Sequence, residues 1–249
     1  MSDTLHLVIG ATGAAGSATI ARLRTAGARV VIAGRDGEEL SRLSEEADAE
    51  DAHEVDARDL TQVGELIAGV ADTYGRLDGV ANLVGSVLLK PAHLTTADEW
   101  VETIAVNLTS AFAVVRAAAP LMAKAGGGSI VLAASAAAQT GIANHEAIAA
   151  AKGGVIGLTR SAAATYGARG VRVNAVAPGL VDAKMTAGLI GNRAQAEASR
   201  AMHVLGRLGT GDDVAAAVTW LLDPTTSWVT GQVIGVDGGL GQVRTRPKG

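Results

Sequence analysis

The apolar residues of this chain fall into two alternating patterns. Short, continuously apolar runs rich in β-branched residues recur at 5–9 (LHLVI), 28–33 (ARVVIA), 53–55, 77–84, 128–134 (GSIVLAA), 171–176 (VRVNAV) and 232–236. Long alanine-rich stretches lie between them, near 14–26, 37–47, 60–74, 97–124, 142–167 and 211–222. Strands that alternate with helices are joined by right-handed crossovers, so the pattern predicts a mostly parallel, doubly wound α/β sheet. The runs lack a polar face, as expected when helices cover both sides of the sheet. No linker, repeat or low-complexity tract interrupts the alternation. A length of 249 residues fits one domain spanning 1–249, two small domains being the alternative on length alone. Residues 180–203 read as an irregular segment and are expected to form a substrate lid. The charged tail 242–249 is expected to fray.

Composition narrows this picture. Apolar residues make up 48% of the chain but aromatics only 2%, so the core must be packed from Ala, Val, Leu and Ile. The net charge is −4 and no basic block exists, which argues against nucleic acid or an anionic membrane as partner. Cysteine is absent, which excludes disulfides, thiolate nucleophiles and zinc–thiolate sites. No metal site is expected. The amino-terminal residues run straight into a strand without a basic segment and apolar core, and no apolar run reads as long enough to span a bilayer. The chain is expected to be cytoplasmic.

The chemistry begins at the first strand, which ends in GATGAAGSATIARL. Gly10, Gly13 and Gly16, with Thr12, Ala14 and Ala15 between them, sit where a strand passes into a helix. Glycine there permits a tight turn and close backbone approach to a pyrophosphate, and the helix N-terminus favours an anion. A plain strand-to-helix turn is the alternative, weakened by the complete βαβ unit that follows. The second strand ends in Gly34-Arg35-Asp36. An acidic residue at that tip would bind a ribose 2′-hydroxyl, whereas a guanidinium suits a 2′-phosphate. Arg35 therefore favours NADP(H) over NAD(H), with Asp36 complicating the choice; a solvated surface arginine is the alternative.

The stretch NHEAIAAAKGGVIGLTRSAA, residues 144–163, closely resembles the active-site helix of the short-chain dehydrogenase/reductase family. That resemblance extends over nearly the whole chain. It implies a single Rossmann domain with a seven-stranded parallel sheet in the order 3-2-1-4-5-6-7, and an NAD(P)-dependent oxidoreductase. Asp56 and Ala57 in VDARD then match the adenine contact, a helix cap being the alternative role of Asp56. Asn82, Leu83, Val84 and Gly85 match the floor under the adenosine, although Leu83 and Val84 depart from the usual residues. Pro178, Gly179 and Val181 match the segment that holds the nicotinamide carboxamide, with Ala183 where a threonine is usual. Relatives are commonly tetramers, so a homo-oligomer is implied, built through the two long helices and the carboxyl-terminal helix and strand.

The same resemblance assigns Asn107 to a proton relay, Ser135 to orienting the substrate and Lys152 to the nicotinamide ribose. The family places a tyrosine four residues before the lysine, and here that residue is Ile148. The only tyrosines are Tyr74 and Tyr166. Tyr166 follows Lys152 by fourteen residues, about 21 Å along a helix. His145, seven residues before Lys152, is the best substitute acid, since an imidazole titrates near neutrality. Its alternative is a helix-start or interface residue, with Asn144 as the cap. Val87, Leu180 and Met185 are expected to line the substrate pocket with Ser135, His145 and Ile148. Three functions fit: a working oxidoreductase acting on a small or medium apolar carbonyl or activated alkene; a redox-inactive dinucleotide-binding partner; and a non-redox isomerase or dehydratase.

Overall fold

The structure is a computed structural model that describes residues 1–191 and 193–244. Seven parallel strands form one sheet: β1 (Leu5–Ile9), β2 (Arg29–Gly34), β3 (Asp51–Glu54), β4 (Gly79–Asn82), β5 (Gly128–Ala133), β6 (Val171–Pro178) and β7 (Val233–Val236). Their order is β3-β2-β1-β4-β5-β6-β7, as the resemblance implied. Helices connect them: α1 (Ala14–Thr25), α2 (Gly37–Ala47), α3 (Leu60–Tyr74), α4 (Ala97–Ile104), α5 (Ser110–Ala125), α6 (Glu146–Tyr166), α7 (Ala187–Ile190), α8 (Arg193–Met202) and α9 (Gly211–Leu222). The strand order reverses between β1 and β4. In open α/β sheets such a reversal marks the place, beyond the carboxyl ends of the strands, where a ligand crevice forms.

The continuous apolar runs have a simple cause. Successive strand side chains point to opposite faces. Leu5, Leu7 and Ile9 of β1, with Val31 and Ala33 of β2, enter one core beneath α3, α5 and α6. Val8, Val30 and Ile32 enter a second core with Ile20, Leu23, Val218 and Leu221 of α1 and α9. Both faces of the central strands β1, β2 and β4 are dry, so their positions are mostly apolar, whereas β3 and β7 at the edges are partly exposed. His6 is the exception on β1. It is fully buried, its Nε2 lies 2.8 Å from Thr4 Oγ1, and its Nδ1 has no partner. Burial pushes this imidazole down to about 4.

Three expectations need correction. The lid segment is not irregular: it holds α7 and α8, whose alanines and charges alternate too sparsely to read as a core-facing stripe. The helical run Ala97–Ala125 does have the length and hydropathy of a bilayer span. Half of its most apolar window is buried in the domain, as in a core helix, and a π-helical turn at Ala105–Thr109 separates α4 from α5. Finally, α6 starts at Glu146 rather than near 142, because Asn144 takes a left-handed backbone (φ 63°). Of the charged tail expected to fray, residues 245–249 lie outside the described residues.

Candidate active site

At the end of β1 the chain turns so tightly that side chains have no room. Gly10 has φ 86°, and a Cβ on it would sit 2.9 Å from the backbone of Leu83 and Val84 at the end of β4. A Cβ on Gly16 would lie 2.2 Å from the Gly10 carbonyl oxygen. The loop thus packs backbone on backbone. It delivers Thr12 and Gly13 to the start of α1, where no side chain caps the first-turn amides of Ala14, Ala15 and Gly16. These amides and the helix dipole form a cradle suited to a pyrophosphate.

At the tip of β2, Asp36 is committed. Its Oδ1 accepts from the Glu39 amide at 3.0 Å and caps α2. Arg35, just past the buried Gly34, is exposed and makes no ion pair or hydrogen bond among the described residues. Asp56 is not the cap of α3; Asp59 is, accepting from Thr61 and Gln62. The Asp56 carboxylate is instead gripped by Arg58, with contacts of 2.6 and 3.0 Å, and Arg58 also reaches Glu102 at 2.8 Å. The Arg58 guanidinium holds the Asp56 carboxyl below the usual carboxylate range. Ala57, next to it, is buried. Asn82 Oδ1 accepts the Val84 amide at 3.2 Å, and Asn82 Nδ2 donates to Ser110.

Deeper in the crevice, Asn107 and Lys152 come together. Asn107 lies in the π-helical turn before α5, 1% exposed. Its Oδ1 accepts from the Ser86 amide at 3.1 Å, and its Nδ2 donates to Ser86 Oγ at 2.9 Å and Thr103 O at 3.0 Å. Lys152 on α6 is 5% exposed and donates to the Ala133 carbonyl at the end of β5, 2.7 Å away. Both converge on Gly85. A Cβ there would stand 3.3 Å from Asn107 Oδ1 and 3.5 Å from Lys152 Nζ. With no carboxylate to compensate its burial, the Lys152 amine is pushed down to about 8.

One helical turn before Lys152, Ile148 is 5% exposed. Neither tyrosine is at hand. Tyr74 bonds the Glu50 carbonyl and stacks with Arg29, while Tyr166 lies against Arg169. Ser135, at the end of β5, has an extended backbone and its Oγ accepts from Ala137 N at 3.2 Å. Its hydroxyl proton is thereby left to donate.

His145 is not hydrogen-bonded into this cluster among the described residues. It is the residue flanking α6, not part of the helix, and Asn144 is not the cap. Its Nδ1 lies 2.8 Å from the Ala143 carbonyl oxygen, and its ring makes no hydrogen bond to Lys152 or Ser135 among the described residues. The helical-face argument for pairing His145 with Lys152 therefore does not hold, because helical geometry begins one residue later. Nε2 has no hydrogen-bond partner among the described residues. Val87 and Met185 are 39% and 56% exposed and Leu180 is half-buried, so the pocket wall expected from them is open on this side.

The strip after β6 is fixed along its backbone. Gly209 donates to the Leu180 carbonyl, and Asp182 donates to the Gly209 carbonyl, each at 2.9 Å. The Thr186 hydroxyl donates to the Val181 carbonyl at 2.6 Å. The Val181 amide is left without a partner among the described residues. Pro178 ends β6, and Gly179 follows it directly. Ser86, Thr186 and Arg58 were not singled out from the sequence. Their hydroxyls and guanidinium act on backbone or on neighbouring site residues, which no spacing motif encodes.

Comparison with known proteins agrees with this geometry. Residues 10–241 match a family model described as enoyl-(acyl carrier protein) reductase. A 3-oxoacyl-(acyl-carrier-protein) reductase of Thermotoga maritima is 36% identical, the match covering 94% of this chain and 96% of that protein. An inactive 2-(S)-hydroxypropyl-CoM dehydrogenase of Xanthobacter autotrophicus is 37% identical, covering 86% and 96%. Among solved structures, actinorhodin polyketide ketoreductase with NADPH superposes with a TM-score of 0.91 at 29% identity, covering 98% of this chain and 100% of that one. With its sheet order, glycine cradle and extended sequence match, the chain belongs to the short-chain dehydrogenase/reductase family of oxidoreductases.

Proposed function

We propose that this protein is an NADP(H)-dependent reductase of a small or medium apolar carbonyl or activated alkene, working without the family's tyrosine. The observation that carries the reading is the convergence of Asn107 and Lys152 on Gly85, one turn from the isoleucine at position 148. The relay is kept where the hydroxyl is not.

The residues fit the cofactor. The amides of Thr12 and of Ala14 to Gly16 would hold the pyrophosphate, the Gly13 amide being taken by the Gly10 carbonyl; Arg35 would meet the 2′-phosphate, the free Val181 amide the carboxamide and Lys152 the ribose. Ala57, Asn82, Leu83, Val84 and Gly85 would pack along the adenosine. Because Arg58 occupies the Asp56 carboxylate, adenine recognition there falls to backbone groups. Bound NADPH supplies a hydride to the substrate carbon. This chain then has to orient the carbonyl, through Ser135, and deliver one proton to the developing alkoxide. His145 Nε2 is one route. A water held between Lys152 and Asn107 is the other, and a lysine titrating near 8 is matched to that work. Ile148 makes the pocket centre apolar, as suits an apolar substrate. The segment 180–203, with Leu180 and Met185, serves as the lid.

We further propose a cytoplasmic homo-oligomer, tetrameric by analogy with the family. Trp100, Val101 and Phe112 on α4 and α5 are 44%, 62% and 46% exposed, and Trp220 and Trp228 are 47% and 98% exposed. In a chain with three tryptophans and one phenylalanine, all four ring-bearing apolar side chains thus face outward, three of them on helices expected to pair and Trp228 in the connection between α9 and β7. A mass of 24.9 kDa by light scattering would remove this part.

A second reading has one observation behind it. The Xanthobacter relative at 37% identity is itself described as inactive. On that reading the chain binds NADPH but transfers no hydride. The test is NADPH consumption by purified protein against ketones, diketones, quinones and enones, with NADH in parallel. Turnover supports the reductase. Tight NADPH binding with no turnover supports the inactive partner.

A further inference from the structure

A buried histidine outside the proposed catalytic cluster joins the lid to the crevice. His203, just beyond α8, is 3% exposed. Its Nδ1 lies 2.6 Å from the Ser199 carbonyl on α8, and its Nε2 lies 3.1 Å from the Leu180 amide after β6. A carbonyl requires a donor and an amide requires an acceptor. Both contacts are satisfied only by the tautomer protonated at Nδ1. The ring lies so close to Gly179 that a Cβ on that glycine would be 2.5 Å from Nε2. Gly238, after β7, also faces the ring, its Cβ position 3.4 Å from His203 Cβ. A cavity of about 470 Å³ opens beside it, lined by Leu180, Val204, Leu205 and Val236.

We propose that His203 is a positioning residue that ties the segment 179–181 to α8, so that the nicotinamide end of the crevice and the lid order as one unit. This rests on the reading of Val181 as the nicotinamide contact. The Leu180 amide is held by His203 and its carbonyl by Gly209. The next amide, Val181, is thereby aimed with nothing of its own to anchor it. The same geometry explains Gly179 more directly than cofactor contact does: any side chain there would displace the imidazole.

The test compares His203→Leu, which keeps bulk and loses the acceptor, with His203→Gln, whose amide oxygen can stand in for Nε2. The probes are NADPH and adenosine 2′,5′-bisphosphate, which lacks the nicotinamide half. The leucine variant should weaken NADPH about tenfold, the order expected for one unpinned hydrogen bond, with the bisphosphate unchanged. The glutamine variant should recover most of that loss. Equal weakening of both ligands, no weakening of NADPH, or a glutamine variant as poor as leucine overturns the proposal. If the leucine variant does not fold, amide exchange of the wild-type protein decides. NADPH should protect peptides covering 179–181 and 199–205 together, and protection of the first alone contradicts the coupling. If the wild-type protein binds neither NADPH nor NADH, the cofactor reading has failed. Exchange of the Leu180 amide in wild type and glutamine variant then still tests the latch: equally slow exchange supports it, and fast exchange in wild type removes it.

Discussion

The side of the crevice between β1 and β3 and the side between β4 and β6 are built from different material. On the first, the cradle is made of backbone: Gly10 and Gly16 leave no space for a side chain, and the amides of Ala14 to Gly16 are open at the helix start. On the second, the proposed function rests on side chains: Asn107 bonded to Ser86, Lys152 on the Ala133 carbonyl, and an isoleucine one turn before that lysine. Backbone recognition depends on steric exclusion, so few residues are tolerated and the pattern persists. A proton donor can be exchanged for another, or lost, without disturbing the fold. The cofactor side is therefore expected to behave conventionally while the catalytic side follows rules of its own.

The largest effects should come from the catalytic side. His145→Ala is expected to lower turnover by about 10²–10⁴-fold if the imidazole is the acid. Unchanged turnover would transfer the role to water held by Lys152. In that case reduction should be fastest with Lys152 protonated and should decline as pH rises through about 8. A flat rate from pH 7 to 9 in the alanine variant would exclude both routes. Lys152→Met should abolish turnover yet raise stability. The folded protein favours the neutral amine, from 10.5 down to about 8, so the charged lysine costs on the order of 3 kcal/mol at neutral pH. Melting curves should show the variant above wild type at pH 7, the gap closing as pH rises from 8 to 10.5.

The cofactor side offers smaller and more selective effects. Gly16→Ala forces a Cβ onto the Gly10 carbonyl, and overpacking of about 1–3 kcal/mol should appear as weakened NADPH and NADH alike in titrations. Arg35→Ala should weaken NADPH by about tenfold, as expected for a charge-assisted hydrogen bond, and leave NADH unchanged. Equal losses would remove the 2′-phosphate assignment. The least effect at neutral pH belongs to His6, far from either side. Its folded value, about 4, lies below the 6.5 of a free imidazole, so its contribution is complete above pH 6.5 and is lost as pH falls toward 4. His6→Leu should flatten that part of the stability profile in denaturant titrations.

The same contrast explains what the sequence disclosed. Strands and connecting helices were legible because both faces of the central strands are dry and the alternation is uninterrupted. The glycine cradle was legible because its residues are consecutive. The start of α6 was misread because alanine-rich sequence looks helical up to Asn144, and only the left-handed turn there shows that His145 is outside. α8 was missed because its buried surface is slight; Ala196 is buried there, but the neighbouring charges mask the period. The Arg58 clamp on Asp56 and the His203 latch depend on side chains meeting across the chain. Spacing carries no record of such contacts.

The central claim is that hydride chemistry persists at a site holding isoleucine in place of tyrosine. Its most direct test is transfer of deuterium from C4-deuterated NADPH to the product carbon, followed by mass spectrometry, for wild type and Ile148→Tyr. The account predicts label in the product from the wild-type protein, at a rate that falls in His145→Ala or above about pH 8. Label from Ile148→Tyr alone, with none from a wild-type protein that binds NADPH tightly, would contradict it and identify the natural chain as a dinucleotide-binding protein without redox activity.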